Sequence, residues 1–311
     1  MGIETAKPVF LDTLETTSDC FLSKAHEAQY NSALRKGNTN IKLSLLVDAT
    51  EDKAWKDRYW DAWHCRRVIL QQGDKLKSSL CRRRWCQTCS RIKTAELLHA
   101  YKQPLLDLGA LYFVTLSAPN VKENQLRPEI KKLIKGFQRI KDNMRKNYGM
   151  KINGMRKIEV TYSKKRNDYH PHFHLIMQGK EEAELLLKLW LSQFNSASNK
   201  GQNIKPVTAN EKSFIELFKY ASKDAVNDKT SAHASHIMNM ALYTIRTIQT
   251  FGNIRKIKEP VEAKECLEIA DYRQTTSDIW VWEDSCIDYV NASNDLLIGT
   301  LDIMQRIKPP S

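Results

Sequence analysis

Alternating apolar and polar positions mark three strands near the middle of the chain, over 111–117 (LYFVTLS), 156–163 and 172–178. Between and around them, apolar residues recur at helical spacing. Residues 92–108 carry Leu97, Leu98, Tyr101 and Leu105 before Gly109, and 126–148 carry Ile130, Leu133, Ile134, Phe137 and Ile140 in a basic background. Further helices are expected over 181–194, 211–223 and 234–250, a short strand over 204–208, and a hairpin or edge strands over 278–289. This order predicts an α+β fold with an antiparallel sheet of about five strands, helices on one face and the other face left for a ligand. Residues 1–53 read as a polar arm or peripheral helix, 54–91 as a cysteine- and arginine-rich module of the zinc type, 92–255 as the main domain and 256–311 as an acidic segment.

Chemistry concentrates in Tyr169-His170-Pro171-His172-Phe173-His174, which puts three of the eight histidines at every second position of a strand. Successive side chains of a strand alternate in direction, so all three point to one face. In the preceding strand Ile158, Val160 and Tyr162 form an apolar face, with Glu159 and Thr161 opposite. A hairpin closed about Asn167 in simple register sets Thr161 across from His172 and Glu159 across from His174, close enough to share an ion. Glu159, His172 and His174 are therefore the expected ligands of Mg²⁺ or Mn²⁺, with His170 as the alternative third ligand; Zn²⁺ or Fe²⁺ also suits such a set.

On the 211–223 helix, Phe214, Leu217, Phe218 and Ala221 form a core stripe, while Glu216, Tyr220 and Lys223 share a second face. A phenol is a weak nucleophile at neutral pH unless a cation lowers its pKa or its target is activated. Lys223 one turn on and a metal across the sheet supply both conditions, and Glu216 one turn back can accept a proton.

The net charge of +13 is uneven: residues 261–311 hold 4 Lys/Arg against 10 Asp/Glu, which leaves +19 on the first 260. Such a basic body suits a polyanion. No apolar run approaches the ~18–20 residues that span a bilayer, and the opening MGIETAKPVF lacks the features of a signal peptide, so a cytoplasmic protein is expected. Four of the seven cysteines fall between Cys65 and Cys89, which points to metal binding; Cys81, Cys86 and Cys89 with Cys65 can complete a tetrahedral Zn²⁺ site, His64 being the substitute for Cys65. The adjacent Arg82, Arg83, Arg84, Trp85 and Arg91 suit phosphate contact and base stacking.

Together these pieces resemble the plasmid rolling-circle replication initiators of the HUH endonuclease superfamily, in the branch with one catalytic tyrosine. Phe113-Val114-Thr115-Leu116-Ser117-Ala118-Pro119-Asn120 is similar to that family's first motif, His170-Pro171-His172-Phe173-His174 to its metal motif, and Glu216-x3-Tyr220-x2-Lys223 to its nucleophile motif. Cys81-Arg82-Arg83-Arg84-Trp85-Cys86-Gln87-Thr88-Cys89 resembles a cysteine cluster these proteins often carry, with Gln87 where a proline is common. The resemblance implies nicking and rejoining of single-stranded DNA within a double-stranded origin, Tyr220 as nucleophile, a 5′-phosphotyrosyl intermediate, Glu216 serving termination, and a host helicase and polymerase as partners. Relaxases and transposases share the His-x-His strand. Relaxases usually place the tyrosine upstream of the histidines, whereas Tyr220 lies downstream, and small single-tyrosine transposases lack the cysteine module. A non-catalytic zinc-containing nucleic-acid regulator is the alternative from another class.

Overall fold

The computed structural model describes residues 24–72, 75–208, 211–219, 226–257 and 278–300. The fold is α+β, and its described residues form two compact units.

The first unit comprises the described residues up to 89, with 226–229 and those from 278 on. Helices α1 (Lys24–Asp48) and α2 (Lys53–Trp63) accompany a four-stranded antiparallel sheet. Its strands are β1 (Val68–Gln72), β2 (Lys75–Lys77), β8 (Asp278–Glu283) and β9 (Asp288–Val290), in the order β2-β1-β8-β9. Ile69 pairs with Trp280, and Tyr30, Ala33, Trp282, Tyr289 and Ile298 complete one core with them. Burial of Tyr30 and Ala33 draws α1 into this unit, and the Trp280 and Trp282 strand draws in the described part of the acidic C-terminal segment. Asp288 fastens that segment. Its buried carboxylate accepts hydrogen bonds from the amides of Tyr289, Ile298 and Thr300 at 2.7, 3.1 and 2.9 Å.

The second unit holds the described residues 90–219 and 230–257. Its antiparallel sheet has the order β6-β3-β5-β4-β7, from β3 (Leu111–Ser117), β4 (Gly154–Ser163), β5 (Asp168–Gln178), β6 (Asn203–Pro206) and β7 (Ile248–Phe251). One face bears Val114, Leu116, Ile158, Val160, Phe173 and Leu175, and is covered by α4 (Glu123–Asn147), α5 (Lys180–Gln193) and α7 (Lys229–Leu242). Each fully buried Leu or Phe there stabilises by about 1.5–3 kcal/mol. The indole of Trp190 donates to the Ser117 carbonyl at 2.9 Å, satisfying its polar edge while anchoring α5 at the end of β3. Arg127 donates to the carbonyls of Met240, Ala241 and Tyr243, a cation at the C-terminal end of α7.

The other face is divided. At one end Leu111, Met155 and Ile176 are covered by α3 (Gln87–Leu106), through Leu97, Leu98, Tyr101 and Leu105, and by α6 (Glu211–Phe218), through Phe214, Leu217 and Phe218. The other end bears the polar pairs Lys157–His174, Glu159–His172 and Thr161–His170. Among the described residues, helices thus pack on both faces, and the polar end of the second carries no apolar helix cover. The helix expected over 234–250 ends at Leu242. Thr244 then adopts a left-handed φ of 64° and the chain turns into β7, which pairs with β4.

Candidate functional site

β5 includes Pro171 without loss to the ladder. Tyr169 exchanges hydrogen bonds with Val121, so the missing N–H of Pro171, two residues on, points to the same side, where β3 has already ended at Ser117. The hairpin register differs from the simple expectation by two residues. Ser163 pairs with Asp168 around a four-residue turn whose Asn167 has a φ of 48°, so Glu159 faces His172 rather than His174, and Thr161 faces His170. Because side chains repeat every two residues, a shift of two leaves every side chain on its face, and the expected ligands still meet.

Ligand atoms of Glu159, His172 and His174 all lie within 4.8 Å of one another. The His172 Nδ1–H donates to the His170 carbonyl at 3.2 Å, which fixes the tautomer and leaves the Nε2 lone pair free. That Nε2 lies 3.1 Å from the Nε2 of His174, whose Nδ1 meets the Thr115 hydroxyl at 3.3 Å. Two nitrogens bound at right angles to an ion ~2.1 Å away would stand about 3 Å apart, so the pair is set for a shared cation. Glu159 Oε2 is 3.7 Å from His174 Nε2. The same oxygen is 2.8 Å from Lys157 Nζ, a buried ion pair. Burial works to raise the Glu159 carboxyl, but Lys157 and the two histidines outweigh it and hold it below the usual carboxylate range. Burial, with the like charge of His174 behind it, lowers His172 to about 4, the neutral form that a metal requires. The donor set of two neutral imidazoles and one carboxylate fits Mg²⁺, Mn²⁺, Zn²⁺ or Fe²⁺. His170 stands outside this group: its Nδ1 meets Asn120 Oδ1 at 3.0 Å and its ring stacks on His172, which it braces.

Glu216 lies on α6, above this face, and its backbone carbonyl accepts a hydrogen bond from Lys157 Nζ at 3.2 Å. Tyr220 and Lys223 lie outside the described residues. Lys157 is the residue that sequence reading missed. Its parity with Glu159 was available as a signal, but a strand lysine reads as solvated until register and α6 bury it to 3 % exposure.

In the first unit, Cys65, Cys81, Cys86 and Cys89 bring their sulfurs within 4.8 Å of one another. Cys65 to Cys89 is 3.5 Å and Cys81 to Cys89 is 3.6 Å, close to the ~3.8 Å edge of a tetrahedron with ~2.3 Å Zn–S bonds. Backbone N–H groups of Cys81, Arg82 and Arg83 donate to the sulfurs of Cys65, Cys89 and Cys81. Hydrogen bonds shared with its neighbours, Cys81 foremost, pull the Cys65 thiol well below the ordinary range. Cys65, not His64, completes this group of four. Arg82 and Arg91 are exposed and Arg83 pairs with Asp61 at 3.0 Å, whereas Arg84 is half-buried. Trp85, expected to stack on bases, is buried against Trp55 and Tyr59 at ring separations of 5.7 and 5.5 Å. It is a core residue of the cysteine module.

An antiparallel sheet carrying a carboxylate and two histidines on adjacent strands in one unit, and a four-cysteine cluster in the other, define an α+β protein with two groups of metal-ligating side chains among its described residues. A family model described as "Replication protein" matches residues 74–184. That span takes in Cys81, Cys86, Cys89, Glu159, His172 and His174 and stops before Glu216 and Tyr220. "Protein rep" of Staphylococcus aureus is 29% identical over 175 residues, 50% of this chain and 75% of that protein. Proteins of the same name from Bacillus amyloliquefaciens and Streptococcus pneumoniae are 25% and 27% identical, over 32% and 38% of their own lengths. No solved structure matches the chain. Residues 74–184 are thus similar to the replication-protein family that the motifs resemble. Among the described residues no helix is long and apolar enough to cross a membrane.

Proposed function

We propose that this protein initiates rolling-circle replication of a plasmid by nicking one DNA strand at the origin and rejoining it at termination. The observation that supports this most is the Glu159–His172–His174 cluster, lying inside the replication-protein match and on the sheet face against which α6 packs. Glu159, His172 and His174 would hold Mg²⁺ or Mn²⁺, which when bound supplies Lewis-acid polarisation of the scissile phosphate.

The chain's own residues carry the rest. The Tyr220 oxygen attacks phosphorus in line, forming a P–O(Tyr) bond as the P–O3′ bond breaks; the 3′-oxygen leaves and takes up a proton as a free 3′-hydroxyl. The 5′-phosphotyrosyl ester conserves the phosphodiester's energy, so a later 3′-hydroxyl can reverse the step without ATP. Lys223 favours the phenolate, and Glu216 accepts the proton of the water or strand that closes the cycle. The four cysteines bind structural Zn²⁺ that shapes a surface for duplex origin DNA, with Arg82, Arg83, Arg84 and Arg91 contributing phosphate contacts. A host helicase and polymerase then act on the exposed strand and 3′-hydroxyl, in the cytoplasm.

The test is an origin-derived oligonucleotide labelled at its 3′ end and incubated with the protein and Mn²⁺. A labelled protein band stable in denaturing gels is expected; free product with no band contradicts a tyrosyl intermediate.

A further inference from the structure

The buried Lys157 is not needed to complete the cluster, yet its ammonium is directed into it. It stands across from His174 in the ladder, 2.8 Å from Glu159 Oε2 and 3.2 Å from the Glu216 carbonyl. The side chains of Lys157 and Glu159 are 4 % and 5 % exposed. A carboxylate this deeply buried needs a counter-charge, since an unpaired one costs several kcal/mol. The Glu216 carbonyl belongs to the last turn of α6, the end of a helix that favours a cation. Lys157 thus serves two acceptors, one on a metal ligand and one on the helix that leads toward Tyr220. Oε2, the oxygen Lys157 contacts, is also the one 3.7 Å from His174 Nε2, on the side of the two imidazoles.

We infer that Lys157 is a built-in competitor of the divalent ion: it holds Glu159 until an ion arrives, yields Oε2 to it, and stays tethered to α6 through the Glu216 carbonyl. This role rests on the cluster being a divalent-ion site and is independent of the nicking chemistry. The competitor lowers affinity by occupying a ligand and by placing a positive charge beside the cation. In exchange, Glu159 is kept aimed before binding, and occupancy of the site is felt at α6 through a single side chain.

The experiment is Mn²⁺ titration of the full chain at pH 8, by calorimetry and by the loss of free-ion EPR signal, with melting curves to show that each variant is folded. Lys157→Gln keeps donors without charge and should bind Mn²⁺ about tenfold more tightly or better. Lys157→Met, which keeps the length and drops both charge and donors, should do the same, while Lys157→Arg should stay within about threefold of the parent. In a Glu159→Gln background the Lys157→Gln change should tighten binding less than in the parent, because the contested ligand is gone and only the charge beside the cation remains. Unchanged or weaker binding by Lys157→Gln, where His172→Ala abolishes binding in the parent, overturns the role of Lys157 alone. Absence of any Mn²⁺ binding sensitive to His172→Ala overturns the ion site and this role together.

Discussion

Glu159 stands directly across from His172 in the β4–β5 ladder, so that a carboxylate and an imidazole from two rigid strands meet with no loop between them. Placement on strands holds these side chains in fixed positions relative to one another.

His172 should make the fold acid-sensitive in a defined window. Its pKa is about 4 in the folded state, lowered by burial, against the ordinary 6.5 of an imidazole in an unfolded chain. The unfolded chain therefore binds a proton that the fold refuses, and stability should fall as pH drops from about 6.5 to about 4, by up to about 3 kcal/mol. Glu159 acts lower on the scale, its contribution being lost as pH falls through its depressed pKa. Urea unfolding across pH without added divalent ion measures this; His172→Asn should flatten the slope in that window, and an unaltered slope would assign it elsewhere.

Zinc should belong to the first unit. Cys81→Ser is expected to lose one equivalent of bound zinc and lower the melting temperature, and to weaken duplex origin binding more than cleavage of a short single strand. Metal analysis with parallel binding and cleavage assays checks it, and equal loss of both activities would place the cysteines in the catalytic apparatus.

Trp85 and the arginines around it should separate into two kinds of effect. Trp85→Ala should cost about 3–5 kcal/mol of stability, as truncation of a buried aromatic does. Arg82→Ala and Arg91→Ala should leave stability within about 0.5 kcal/mol and each reduce the slope of log K against log salt for DNA binding by about 1. A Trp85→Ala protein of parental stability with weakened DNA binding would return that indole to the nucleic-acid surface.

Glu216→Ala should still nick but release finished circles poorly. Counting closed and open single-stranded products in a plasmid replication assay measures this, and parental termination would remove Glu216 from the reaction.

The sheet was largely legible because period-two patterning is local: 111–117, 156–163 and the histidine run all form strands, and the shared face of Glu159, His172 and His174 survives a two-residue slip in register. The slip itself was not legible, since it depends on a left-handed Asn167 closing a four-residue turn. Pairing of Ile69 with Trp280 joins segments more than two hundred residues apart, and no local pattern announces it. Trp85 carried a surface reading from its arginine neighbours; only Trp55 and Tyr59, a full helix away, bury it. Lys157 was missed for the same reason, its burial being decided by α6.

The central claim is the tyrosyl intermediate, and the direct measurement compares the parent with Tyr220→Phe on a 3′-labelled origin oligonucleotide in Mn²⁺. The account predicts a gel-stable labelled adduct for the parent, digestible to a phosphotyrosyl peptide containing Tyr220, and parental DNA binding with no adduct for Tyr220→Phe. An adduct persisting in Tyr220→Phe, or mapping to another residue, would contradict it.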